Sequence, residues 1–153
     1  MQKQVNLANR GRALEELLEH VFDSSPGVCM FRQANRIVLL RDGRAFPKKG
    51  APVDFVGVIN GIPVAVECKE TFDGSIYLGK SRFPDSEIHA LESFYKAGGR
   101  PYVVGAFWKR NILAVYGFRS FSKILSSGKK SLIPEDADVV LPVEDAGEIV
   151  KVL

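Results

Sequence analysis

The chain has 153 residues, 46% of them hydrophobic and a quarter charged, which suits one hydrophobic core and argues against general disorder. No apolar run approaches the roughly 20 residues that cross a bilayer, and the N-terminus Met1-Gln-Lys-Gln-Val-Asn6 lacks the apolar stretch of a signal peptide. No membrane partner and a cytoplasmic setting are therefore expected, and the net charge of +3 is too small to identify a polyanionic partner by itself.

Ala8 to Phe22 reads as an amphipathic helix, because Leu14, Leu17, Leu18, Val21 and Phe22 recur at spacings of three and four. Asn9 is the expected N-cap, and Ser24-Ser-Pro-Gly27 ends the helix. Val28 to Arg32 and Arg36 to Arg41 are predicted strands, with Asp42-Gly43 as a tight turn after the second. Phe46 to Pro52 is too rich in Pro and Gly for a regular element. Charge is concentrated here: Arg32, Arg36, Arg41, Arg44, Lys48 and Lys49 face a lone acid, Asp42, whereas the chain from Pro134 onward is acidic.

The next signal is a hairpin. Val53–Ile59 and Ile62–Cys68 are apolar, β-branched runs separated by Asn60-Gly61, the strongest short-range hairpin signature. Asp85 to Lys96 reads as a helix with Ile88, Leu91, Glu92 and Tyr95 at helical spacing and Gly98-Gly99 as its stop. Pro101–Trp108 and Ile112–Tyr116 are predicted strands, and Phe118–Leu125 a short helix. Residues 127–153 form a tail with a minor strand near Val139–Leu141. There is no repeat and no dividing linker, so residues 1–153 are expected to form one α/β domain, a mixed sheet with helices on both faces. Cys29 and Cys68 lie among apolar neighbours and read as small buried hydrophobes. His20 and His89 have no metal-like spacing and read as surface helix residues.

The chemically informative stretch is Pro52-Val-Asp54, twelve residues, then Glu67-Cys-Lys69. Pairing across Asn60-Gly61 puts Asp54 opposite Glu67, and the spacing of two turns Glu67 and Lys69 to one face. Opposed carboxylates repel unless a cation lies between them, and hard carboxylate oxygens suit Mg²⁺. A lysine beside the ion can orient water or neutralise charge on a phosphorane-like transition state. Glu-x-Lys alone is common on strands; the opposed Asp54 gives it weight. Glu15 or Glu16, adjacent on the first helix, can supply a further carboxylate.

Asp-x(12)-Glu-x-Lys resembles the signature of PD-(D/E)xK nucleases, with Pro52 one residue upstream of its usual place. More specifically, Asn9-Arg-Gly-Arg-Ala-Leu-Glu15, Asp54-Phe-Val-Gly57 and Glu67-Cys-Lys-Glu-Thr71 are similar to motifs of RecU-type Holliday junction resolvases. Phe83-Pro-Asp85 and Gly99-Arg-Pro-Tyr102 continue the likeness. This resemblance implies a restriction-endonuclease-like core with a short basic stalk-like insertion at residues 33–52. It implies a catalytic set of Glu15, Asp54, Glu67 and Lys69, and Mg²⁺, replaceable by Mn²⁺, at Asp54, Glu67, the Cys68 carbonyl and Glu15. It also implies a homodimer acting on branched, four-way-junction DNA, with Arg10, Arg12, Arg36, Arg41, Arg44, Lys48, Lys49 and Thr71 as DNA contacts. The insertion is shorter than usual in that family, and Glu87 stands where a glutamine is usual. A restriction- or repair-type nuclease on duplex or flap DNA and a non-catalytic junction-binding factor are the alternatives. The intact acids and lysine weigh against the second.

Overall fold

In the computed structural model, residues 12–33, 36–48 and 52–153 are described. Helix α1 spans Ala13–Ser24 and buries Leu14, Leu18, Val21 and Phe22, the stripe read from the sequence. Arg12 holds the N-cap position without a side-chain cap bond, and Asn9, the expected cap, lies outside the described residues.

Strand β1 (Val28–Arg32) matches its predicted range. Strands β2 (Arg36–Leu39) and β3 (Ala45–Lys48) correct two expectations. The first is shorter than predicted, because Leu40 to Arg44 form the turn, with Gly43 at φ 82°. The second occupies a stretch expected to be irregular: Pro47 sits opposite Ile37 in a two-stranded ribbon, where a missing amide is tolerated on an unpaired edge. Among the described residues, the ribbon joins no strand of the main sheet.

The predicted hairpin is β4 (Phe55–Ile59) and β5 (Ile62–Thr71), turning at Asn60 (φ 48°) and Gly61 (φ 82°), the two positive φ values such a turn demands. Gly57 lets β1 approach β4 closely, since a Cβ there would collide with the Cys29 carbonyl. After the short β6 (Ile76–Tyr77), α2 (Asp85–Lys96) carries the chain across to β7 (Arg100–Phe107), which runs parallel to β5. Then follow β8 (Ile112–Gly117), α3 (Phe118–Ser126), β9 (Ser131–Leu132) paired with β6, and β10 (Val139–Pro142).

The main sheet has the order β1-β4-β5-β7-β8-β10, antiparallel except at β5–β7. On one face α1 packs Phe22 edge-on against Phe55, with ring centroids 5.2 Å apart. Ala146, Ile149 and Leu153 belong to this same layer, so the C-terminal segment is packed structure rather than a tail. On the other face α2 and α3 bury Phe83, Leu91, Phe121 and Ile124. Three acidic residues of the C-terminal segment have structural partners: Asp138 accepts from Gly117 N and Ser120 Oγ at the start of α3, while Glu135 and Asp136 pair with Arg110 and Lys129. Cys29 is exposed, contrary to expectation, because its side of β1 carries no helix; Cys68 is half-buried. No helix among the described residues is long and apolar enough to cross a membrane.

Candidate active site

The register set by Asn60-Gly61 holds from Ile59↔Ile62 to Phe55↔Val66. There the ladder stops. Asp54 N donates to Val66 O at 3.1 Å, a slip of one residue, so Asp54 does not pair squarely with Glu67 as expected. Val53 and Val56 pack into the α2 layer while Phe55 packs into the α1 layer, which breaks strict alternation at Asp54. The slip gives the Asp54 carboxylate a specific seat: its Oδ2 accepts from Cys68 N at 2.7 Å, on the peptide that links Glu67 to Cys68.

Glu67 and Lys69 do share a face. Glu67 is 2% exposed, and its Oε1 lies 3.0 Å from Lys69 Nζ. The ammonium has a second carboxylate, Glu87 Oε2 of α2, also at 3.0 Å, and lies 4.8 Å from the centre of the Phe83 ring. Glu87 is itself only 3% exposed. Its position was legible as belonging to the inner stripe of α2, four residues before buried Leu91.

The even-numbered residues of β5 face α1. Glu70 Oε2 accepts from Leu14 N at 3.0 Å, in the first turn of α1, and Oε1 from Trp108 Nε1 at 3.3 Å. A β5 carboxylate thus supplies the cap that Arg12 does not, at the helix end where negative charge is favoured. Burial raises the Glu70 carboxyl above the ordinary glutamate range. Glu15 is half-buried and Glu16 exposed, so one of the two faces inward as expected. Glu15 Oε2 receives Arg32 Nε at 3.0 Å and Nη2 at 2.9 Å. Burial, and then the nearby Asp54 charge, raise the Glu15 carboxyl; Arg32 opposes both. Burial pushes the Cys68 thiol well up, and Asp54, Glu67, Glu15 and Glu70 push it further, so four acids act on one point of β5.

Among the described residues, no three His, Cys, Asp or Glu side chains are gathered as a metal cage. The expected ligands Asp54, Glu67, Cys68 and Glu15 do not stand as one set: Asp54 turns to the Cys68 amide, Glu67 to Lys69, and Glu15 to Arg32. The donor chemistry nonetheless suits Mg²⁺, which takes one or two carboxylates and keeps several waters. Asp54 and Glu67, brought to one peptide, are two carboxylates of the kind that chemistry uses.

Of the expected DNA contacts, Arg10 and Lys49 lie outside the described residues. Arg12 and Arg41 are exposed, and Arg36 lies opposite Lys48 across the ribbon. Arg44 is paired with Asp42 at 2.6 Å, and Thr71 Oγ1 accepts from Asp73 N at 3.0 Å. Arg32, Glu70, Phe83 and Glu87 are the residues that sequence reasoning left without a role.

No family model matches the chain, and comparison with curated proteins finds no similar sequence. Among solved structures, it is similar to Hjc of Archaeoglobus fulgidus, a Holliday junction resolvase from an archaeal hyperthermophile. The TM-score is 0.53 and the identity 20%, over 87% of this chain and 96% of that one. The architecture is the expected restriction-endonuclease-like one, a mixed six-stranded sheet with helices on both faces.

Proposed function

We propose that the chain is a divalent-cation-dependent DNA endonuclease that resolves Holliday junctions, acting as a homodimer of one-domain subunits. The observation that carries this reading is the Asp54 carboxylate seated on the Glu67–Cys68 peptide beside an ammonium 3.0 Å from Glu67. The fold likeness to Hjc and the RecU-like motifs around Glu15, Asp54 and Glu67 support the same activity. When bound, Mg²⁺, or Mn²⁺ in its place, supplies a more acidic water and a polarised phosphoryl group.

In this reading Asp54, Glu67 and the Cys68 carbonyl hold the ion, and Glu15 closes the site from α1. Lys69 orients the attacking water or offsets charge on the scissile phosphate. The β2–β3 ribbon, with Arg36, Arg41, Arg44 and Lys48, sits close in sequence to Asp54 and contacts DNA backbone, which positions the junction without reading bases. Arg10, Arg12, Lys49 and Thr71 complete that contact set. Paired nicks in opposite strands need two sites related by a two-fold axis, hence the dimer.

A synthetic four-way junction and a linear duplex, incubated at equal salt with Mg²⁺ and with or without chelator, test the proposal. Chelator-sensitive cleavage of the junction is expected, with the duplex largely spared; equal cutting of both would favour a restriction- or repair-type nuclease. Asp54→Asn and Lys69→Ala are expected to abolish cleavage while junction binding survives. Near wild-type cutting by either variant would refute the site assignment.

A further inference from the structure

The site contains one buried carboxylate more than a two-acid metal site requires. Lys69 Nζ stands 3.0 Å from Glu67 and 3.0 Å from Glu87, in surroundings where the three side chains are 11%, 2% and 4% exposed. A buried charge that loses its partner is costly. If Glu67 were the sole partner of Lys69, turning that carboxylate to a metal would strand a buried ammonium. Glu87 removes that conflict. It comes from a different element, α2, which buries Leu91 and half-buries Ile88 on the face of the sheet that carries Ala65. Phe83 below the ammonium holds the third side.

Resting on the endonuclease reading above, we infer that Glu87 is a positioning residue: it keeps Lys69 charged-paired and in place, so that Glu67 is available to a divalent cation. Truncating Glu87 makes Lys69 compete with the cation for Glu67, which weakens metal binding as well as turnover. Partners that orient a metal ligand typically matter by about 10- to 100-fold in affinity or activity.

The experiment uses the full chain with Glu87→Leu, which fills the space without charge, and Glu87→Gln, which retains hydrogen-bonding capacity. Mn²⁺ affinity is measured calorimetrically without DNA, and kcat and KM on the synthetic junction with Mg²⁺; circular dichroism verifies folding. For Glu87→Leu we expect Mn²⁺ affinity and kcat each lower by about 10-fold or more, with KM nearly unchanged, and for Glu87→Gln a substantial recovery. A folded Glu87→Leu protein with wild-type Mn²⁺ affinity and kcat overturns the inference and leaves the nuclease reading intact. So does loss confined to KM. If Glu87→Leu does not fold, Glu87→Gln decides: an unchanged Mn²⁺ affinity and kcat overturns the inference. Wild-type protein that binds Mn²⁺ but cuts nothing removes the nuclease reading, and the inference is then judged on the Mn²⁺ affinities alone.

Discussion

Replacing Lys69 by methionine keeps most of the apolar stem and removes the charge shared by Glu67 and Glu87. In the native arrangement that ammonium sits between two almost fully buried carboxylates and over the Phe83 ring. Removing one partner from a buried ion pair costs about 3–5 kcal/mol, because the remaining charge is stranded. Here two carboxylates lose the same ammonium and then repel each other, so the upper half of that range is expected. At about 2–4 °C per kcal/mol for a chain of this size, the melting temperature should fall by about 8–20 °C in metal-free buffer. A second substitution tests the cause. Lys69→Met with Glu87→Leu removes one of the two repelling charges, so the double variant should be more stable than Lys69→Met alone, with a coupling of about 0.5–3 kcal/mol. Thermal and denaturant unfolding of the wild type, both singles and the double give the complete cycle. A drop of under about 2 °C for Lys69→Met, or a double variant no more stable than that single, would refute the shared-ammonium argument.

Glu15→Gln should stabilise the metal-free protein at neutral pH while abolishing cleavage. Burial and Asp54 raise the Glu15 carboxyl above its unfolded value, so its ionised form weakens the fold at pH 7. That penalty fades as pH falls through the raised value, and the two proteins should converge in melting temperature below about pH 4.5; an advantage that grows on acidification would contradict the assignment. Alanine at Arg41, Arg44, Lys48 and Lys49 together should weaken junction binding and flatten its salt dependence by about one unit of log–log slope per lost phosphate contact. Arg44 already has Asp42 as a counter-ion, so a change of about three units rather than four is expected, and an unaltered slope would remove the ribbon from the interface. A thiol reagent should modify one cysteine rapidly in the native protein and two after denaturation, since Cys29 is exposed while Cys68 is half-buried among acids that disfavour its thiolate. Two fast native thiols would contradict this placement.

Much of this architecture could be read from local chemistry. Asn60-Gly61 specifies two positive φ values, and from them the β4–β5 register follows residue by residue. The stripe of α1 and the limits of α2 follow from apolar spacing and from Gly98-Gly99. The departures have a common origin in contacts distant along the chain. Pro47 reads as a strand breaker until the unpaired ribbon edge is known. The cap of α1 comes from Glu70, 56 residues away from Leu14, which local capping rules do not anticipate. Glu87 carried a helical-spacing signal, yet its partner Lys69 is set by how α2 lies across β5. The hairpin register continued past Phe55 put Asp54 opposite Glu67, and the slip at Val66 moved it onto the Cys68 amide.

That slip also explains how so many acids occupy one end of the sheet. With strict pairing, Asp54 would join Glu67 and Glu87 on the α2 face, three carboxylates around the Lys69 ammonium. Instead the acids are divided. Glu67 and Glu87 share Lys69 on one face, Glu15 and Glu70 lie on the α1 face with Arg32 and Arg82 near them, and Asp54 bonds the peptide between. These five carboxylates, with Glu19 3.8 Å from Arg32, outnumber Lys69, Arg32 and Arg82, an excess of negative charge that a divalent cation would offset. Burial first, and neighbouring acids second, raise the Glu15 carboxyl and the Cys68 thiol, and the acids' share weakens when a cation settles nearby. In the proposed site the same imbalance would become affinity for the ion, so Glu15→Gln and Glu87→Leu should move metal binding in a way a purely structural acid would not.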